Sequence, residues 1–241
     1  MDSNAPFSAA RDTLNADLPS PWHRQLWSRY CRLFWLKCSG TTAIMFLFFA
    51  AYFHVLRHPA YPSITMPLTA VDALVTFYPP SLWLYASLWV YVPLAPALLL
   101  GLRELITYGF WVVGLCVTGL LIFYFWPTTL LPYATNRGQY WGFDILQGID
   151  AAGNACPSLH VATAAFSAYW LDRVFKEMNI GVLGRFFNVL WFVAIAYSTM
   201  ATKQHVFLDV LAGFALGTAF ALLSLRYRTA VTWDAYSHQK V

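Results

Sequence analysis

Two short stretches hold the residues whose types and spacing suit chemistry. CPSLHVATAAF, residues 156–166, sets Ser158 and His160 at the mouth of an apolar run, and TKQHVFLDVLAG, residues 202–213, sets His205 and Asp209 four apart. Residues four apart share one face of a helix, and helical side chains lean toward the N-terminus, so Asp209 can reach back to a ring nitrogen of His205. An ionised carboxylate one turn inside an apolar segment is expensive unless paired, and His205 is its expected partner. One histidine held by a carboxylate and a second, separate histidine suit phosphoryl transfer through a covalent phosphohistidine. In that chemistry His205 attacks phosphorus as the neutral imidazole while Asp209 fixes its tautomer. His160 protonates the leaving oxygen and then takes the proton of the incoming water or alcohol. Ser158, Thr199 and Thr202 supply hydroxyls and Lys203 a charge for the phosphate. Each residue also has a plainer reading: His160 as an interfacial or capping histidine, Lys203 as a snorkelling lysine.

These residues need elements that bring them together. The 241-residue chain is 59% hydrophobic, 18% aromatic and 11% charged, against the roughly 25% charge of soluble domains. That composition, with several apolar stretches near the roughly 20 residues a bilayer requires, predicts an all-α polytopic membrane protein. Six transmembrane helices are expected, near 41–56, 81–100, 106–126, 158–175, 184–201 and 205–226. Residues 1–20 are polar and show no signal-peptide core, so the first span is expected to direct its own insertion. In PWHRQLWSRYCRLFWLKC, residues 21–38, aromatic and leucine residues recur at helical spacing among Arg24, Arg29, Arg32 and Lys37. This predicts an amphipathic helix on an anionic membrane surface, or equally a basic stop before the first span. The expected division is a cytoplasmic N-terminal tail over 1–40, a six-span domain over 41–226 and a cytoplasmic C-terminal tail over 227–241.

Orientation follows from the loops. With the N-terminus inside, twelve Lys and Arg fall on the inner side, and Arg57, Arg137 and Lys203 on the outer, a positive-inside bias. The net charge of +4 is therefore a topological signal and not a nucleic-acid footprint. The fourth and sixth spans then both start at the outer surface, which sets His160 and His205 level, and their two N-termini form an anion site. Of the outer segments, 57–80 predicts a short interfacial helix capped by Asp72, and 127–157 is an aromatic loop long enough to be functional. His54, Arg57 and His58 read as interfacial. Gly213 and Gly217 in GFALG have close-packing spacing. The four cysteines show neither disulfide nor metal-ligand spacing, and no metal or cofactor is expected.

The stretches PSLH, 157–160, and STMATKQHVFLD, 198–209, resemble the second and third motifs of the type 2 phosphatidic acid phosphatase superfamily. MPLTAVDALVTFYPPSLWLY, 66–85, is similar to its inositol-phosphorylceramide-synthase-like branch. The likeness covers roughly residues 65–220. It implies a six-span lipid phosphatase or phosphotransferase with His205 as nucleophile, Asp209 as its orienting acid, His160 as acid/base, Ser158 as a phosphate ligand and no metal. Two departures stand out. Thr199 follows Ser198 where the family motif has arginine, which nominates Lys203 as a substitute. The first motif's Lys-Arg-Pro is not recognisable, which leaves Arg137 as the cation of that region. Fewer cations imply a phosphodiester or pyrophosphate link in preference to a dianionic monoester.

The resulting expectation is an integral membrane enzyme that cleaves a lipid phosphate or pyrophosphate at the extracytoplasmic face, its partner a lipid phosphate in the membrane. The alternative is a head-group phosphotransferase with an alcohol acceptor and the same histidines. A lipid transporter is a distant third, because transporters set their ionisable residues near the midplane. The short tails and the lack of glycosylation sequons point to a bacterial inner membrane before a eukaryotic endomembrane.

Overall fold

The computed structural model describes residues 21–131 and 153–228. The described chain runs α1 (Trp22–Cys31), α2 (Phe34–Arg57), β1 (Ile64–Thr65), α3 (Ala70–Leu74), a 3-10 turn over Pro79–Ser81, α4 (Leu82–Ala86), α5 (Leu88–Ala97), α6 (Leu102–Phe125), β2 (Thr128–Thr129), α7 (Leu159–Glu177), α8 (Val182–Ala201) and α9 (Phe207–Arg226). Four of these helices, α2, α6, α8 and α9, have 20 to 24 residues and are apolar enough to cross a membrane. At 1.5 Å per residue they span about 30–36 Å, the thickness of a bilayer's hydrocarbon core.

The burial pattern is that of a protein solvated by lipid. Phe46, Leu47, Phe110, Val182 and Leu183 face outward, while Ser158, Ser167, Asn188, Ser198, Thr199 and Asp209 are buried inside. Water would reverse that arrangement; lipid tails tolerate it, because polar groups are then satisfied between helices. Among the described residues the regular structure is that of an all-α membrane protein apart from β1 and β2, which pair in parallel as Ile64↔Thr128 and Thr65↔Thr129.

Two of the six expected spans take another form. The second, 81–100, is broken: Pro79 and Pro80 open the 3-10 turn, and Pro93 and Pro96 lie inside the ten-residue α5, where each removes a backbone donor. The fourth, α7, has 19 residues and ends in Asp172, Arg173, Lys176 and Glu177. It is the interior helix of the bundle. Val161, Ala162, Ala164, Ala165, Phe166 and Trp170 are fully buried, and α7 packs against α9, α8, α5 and α6. Its alanines admit close neighbours, and α9 comes closest: a Cβ at Gly213 would fall on the Ser158 carbonyl and one at Gly217 on that of Ala162. The glycine spacing read as close packing is thus a backbone contact between α7, which carries His160, and α9, which His205 precedes by two residues.

The N-terminal basic segment also departs from expectation. It folds as α1 and the first turns of α2, joined at Leu33 in the left-handed region (φ 55°), so α2 starts at Phe34, ahead of the boundary expected at 41. Trp22, Trp27 and Tyr30 are exposed, as a surface helix requires, but Arg29 and Lys37 are buried. Arg29 Nη1 donates to the Leu98 carbonyl (3.1 Å) and Lys37 Nζ to the Ala97 carbonyl (2.7 Å). Both cations therefore cap the carbonyl end of α5, the negative end of that helix. Nearby, Arg228 Nη1 and Nη2 bond Glu177 Oε1 and Oε2 at 2.6 and 2.9 Å, and Arg228 also pairs with Glu104. The guanidinium lies over Trp170, 5.3 Å from the ring centroid. This buried ionic cluster ties α6, α7 and α9 together at the end of the bundle opposite the histidines.

Candidate active site

At the other end, the close α7–α9 packing brings His160 and His205 together. His160 opens α7, whose first turn is capped by the Ser158 hydroxyl accepting from the Val161 amide (3.3 Å). His205 lies in the turn between α8 and α9. This turn is shaped by Lys203 in the left-handed region (φ 58°) and by the Thr199 carbonyl, which accepts from the amides of Gln204 and His205 at 3.0 and 3.1 Å. The two imidazoles meet with His160 Nδ1 3.3 Å from His205 Nε2. Asp209 Oδ2 stands 3.5 Å from His205 Nδ1, longer than a hydrogen bond, and accepts from the Val206 amide at 3.0 Å. Asp209 is fully buried and His205 is 7% exposed. The Ser158 amide donates to the Asp209 carbonyl (2.9 Å), a direct strut between the two helix starts.

The phosphate-holding residues are placed less simply. Ser158 is fully buried in its capping role. Lys203 Nζ donates to the Val75 carbonyl, which turns the ammonium toward the segment after α3. Arg137 lies outside the described residues. The anion site expected at the converging N-termini is partly filled from within the chain: Asp72 Oδ1 accepts from the Phe207 amide, the first residue of α9, at 2.7 Å. The same carboxylate accepts from the Thr69 amide and hydroxyl, both at 2.7 Å. Asp72 therefore caps two helices, its own and α9. Partial burial raises its pKa, but the Thr69 and Phe207 hydrogen bonds, with Lys203 alongside, outweigh that and hold the carboxyl below the usual aspartate range.

Three residues at the site were not singled out by sequence. Tyr85 of α4 sets its hydroxyl 2.7 Å from His160 Nε2. Asn154, left-handed at φ 58°, is 5% exposed and its Nδ2 is buried with no hydrogen-bond partner. Cys156 lies beside Asp209; burial, with the Asp209 charge adding to it, pushes the thiol up to about 11, so it is no thiolate competitor to His205 at neutral pH.

All of this opens onto one groove. A cavity of about 1010 Å³ runs between α2, α5 and α6, with Tyr85, Asn154, His160 and His205 at one end and Lys37 at the other. Along α2 it is lined from Leu36 to Tyr52, about 24 Å of helix. Trp89, Ile106, Phe110 and Val113 line it and are themselves exposed, so it opens sideways on the lipid-facing surface. Its described lining contains no Asp, Glu or Arg.

Residues 124–233 match the family model of the PAP2 superfamily. The matched segment covers α7, α8 and α9 with both histidines, and members of that superfamily are phosphatases and phosphotransferases. No curated protein and no solved structure matches the chain. The sequence likeness to the inositol-phosphorylceramide-synthase-like branch rests on residues before 124, outside the matched segment.

Proposed function

We propose that this protein is an integral membrane lipid phosphatase, cleaving a lipid phosphate or pyrophosphate through a phosphohistidine at the extracytoplasmic face. The observation that carries this reading is the groove: an apolar channel open to lipid ends on two hydrogen-bonded histidines, so a lipid can lie along it with its phosphate at the imidazoles. His205 Nε2 attacks phosphorus, the bond from phosphorus to the leaving oxygen breaks, and that oxygen takes the proton of His160 Nδ1. Water then attacks the phosphohistidine, His160 Nδ1 takes its proton, and the phosphorus–nitrogen bond breaks to release phosphate and restore His205. The rings stand 3.3 Å apart, and the phosphoryl group enters by parting them. Asn154 Nδ2 is a donor for a phosphate oxygen, in a site where Ser158 and Lys203 are engaged with backbone groups and Arg137 is the remaining candidate cation.

The near-complete burial of His205 favours a second reading, transfer to a lipid alcohol in place of water, since a dry site protects a phosphohistidine from hydrolysis. A transporter is favoured less, because no charged path joins Lys37 to the histidines along the described lining.

The test is an assay of purified protein in mixed lipid micelles, with free phosphate and new lipid species measured by mass spectrometry. Phosphate release abolished by His205→Ala supports the phosphatase; new phosphorylated lipids without phosphate release, lost in the same variant, support the transferase. Activity that survives His205→Ala overturns both. In the same assay Asn154→Ala is expected to raise KM about tenfold, the loss of one hydrogen bond to a charged group; an unchanged KM removes Asn154 from the phosphate site.

A further inference from the structure

Tyr85 comes from the broken second span, 75 residues before the histidine it meets. Its ring is 3% exposed, packed by Phe77 and Leu82, and its centroid lies 4.9 Å from that of His160. The 3-10 turn at Pro79–Ser81 delivers α4 to this place. The Tyr78 amide that precedes the turn donates to the Ala201 carbonyl at the end of α8 (3.0 Å), so the segment bearing Tyr85 is anchored to the helix that leads into the His205 turn.

We propose that Tyr85 is a positioning residue that fixes which nitrogen of His160 exchanges the proton. This rests on the reading of His160 as the general acid and base. An imidazole has two nitrogens, and only one can face the leaving oxygen. A tyrosine hydroxyl both donates and accepts. Before the transfer His160 is the imidazolium, with Nδ1–H and Nε2–H, and after it the neutral Nε2–H tautomer; in both forms Tyr85 Oη accepts from Nε2–H. In either state Nε2 is engaged with Tyr85, and Nδ1, the nitrogen that faces His205 at 3.3 Å, is the one that gives and takes the proton. The proton balance closes on Nδ1: it passes to the leaving oxygen in the first step and returns from water or alcohol in the second, and Tyr85 keeps its own proton through the cycle. The hydroxyl also holds the ring by its far side, so that when a phosphoryl group parts the histidines the imidazole pivots about Nε2 and does not swing out of the site.

A residue that serves the acid matters most when the leaving group needs acid. The test compares two substrates with the same alkyl tail, an alkyl phosphate whose alcohol is a poor leaving group and a nitrophenyl phosphate whose phenol leaves without help. Tyr85→Phe keeps the ring and its packing and removes only the hydroxyl. It is expected to lower kcat/KM, which reports the steps through departure of the leaving group, on the alkyl phosphate roughly 10- to 100-fold, part of the 10²–10⁴ that a placed acid contributes, with kcat/KM on the nitrophenyl phosphate within about twofold of the wild type. Tyr85→His, which restores a hydrogen-bonding ring, is expected to recover part of the loss. Equal losses on both substrates would reduce Tyr85 to a packing role, and no loss on either would overturn the proposal outright; thermal unfolding of each variant separates these outcomes from misfolding. His205→Ala tests the underlying reading separately, since it must abolish turnover of both substrates.

Discussion

Asp209 illustrates how much can depend on the direction of one side chain. Its Oδ2 accepts from the Val206 amide and faces His205 Nδ1, so the imidazole proton belongs on Nδ1 and the lone pair on Nε2. In Asp209→Asn the amide oxygen takes the Oδ2 place, where it still accepts from the Val206 N–H and faces His205 Nδ1, so the tautomer is kept but the negative charge that balances the His205 cation formed on attack is lost. The expected loss in kcat is about 10²–10⁴-fold, with thermal unfolding near that of the wild type. A variant with wild-type turnover would mean that Asp209 holds only the α9 start. The three catalytic candidates were legible in the sequence because their chemistry is local: His205 and Asp209 lie four residues apart around the start of α9, and His160 stands where polarity breaks into an apolar run. The contacts of Tyr85 with His160 and of Asp72 with Phe207 were not, because they join residues 75 and 135 apart and no periodicity encodes a contact at that range; the Asp72 cap of its own helix, being local, was legible.

At the scale of elements, the four long apolar helices were readable from composition and length alone. The broken second span and the buried α7 were not, since an apolar run read by hydropathy does not reveal whether lipid or protein will surround it. The short α3 gains a role from this packing that its five residues do not announce: through Asp72 it caps the helix that begins beside His205. Asp72→Ala removes both caps and is expected to destabilise the protein by about 0.5–2 kcal/mol. The effect carries a pH signature. The Asp72 carboxyl is held below its ordinary value in the folded protein, so its contribution is complete above the unfolded value of about 3.9 and fades as pH falls through the lower folded value. Melting curves of wild type and variant should therefore differ at pH 5 to 7 and begin to converge only as pH falls below about 4; a difference that is flat with pH would remove the charge from the explanation.

For the molecule as a whole, the two ends of the bundle are built on opposite principles. One end holds the histidines and opens to the groove; the other is locked by Arg228 between Glu177 and Glu104, with Arg29 and Lys37 on the α5 carbonyls. In the sequence Arg228 counted only as an inner-side charge and Arg29 and Lys37 also as cations of a surface helix or basic stop, because a tally of lysines and arginines says which side they occupy and not whether they are buried. Arg228→Ala would leave the buried Glu104 without its guanidinium, while the part-exposed Glu177 keeps Arg173, and is expected to destabilise the fold by about 3–5 kcal/mol. Adding Glu104→Gln should return part of that loss, as measured by unfolding; no recovery would show that the cation–π contact with Trp170 or packing carries the effect.

The sideways opening of the groove, with Trp89, Ile106 and Phe110 on its rim, has a consequence for what concentration means to such an enzyme. A substrate that enters from the membrane plane is met in two dimensions, so its supply is set by its mole fraction among neighbouring lipids and not by its amount per litre. Occupancy would then respond to whatever else shares the leaflet: an abundant inert lipid acts as a diluent, and any lipid that fits the groove acts as a competitor, even at constant substrate content in the cell.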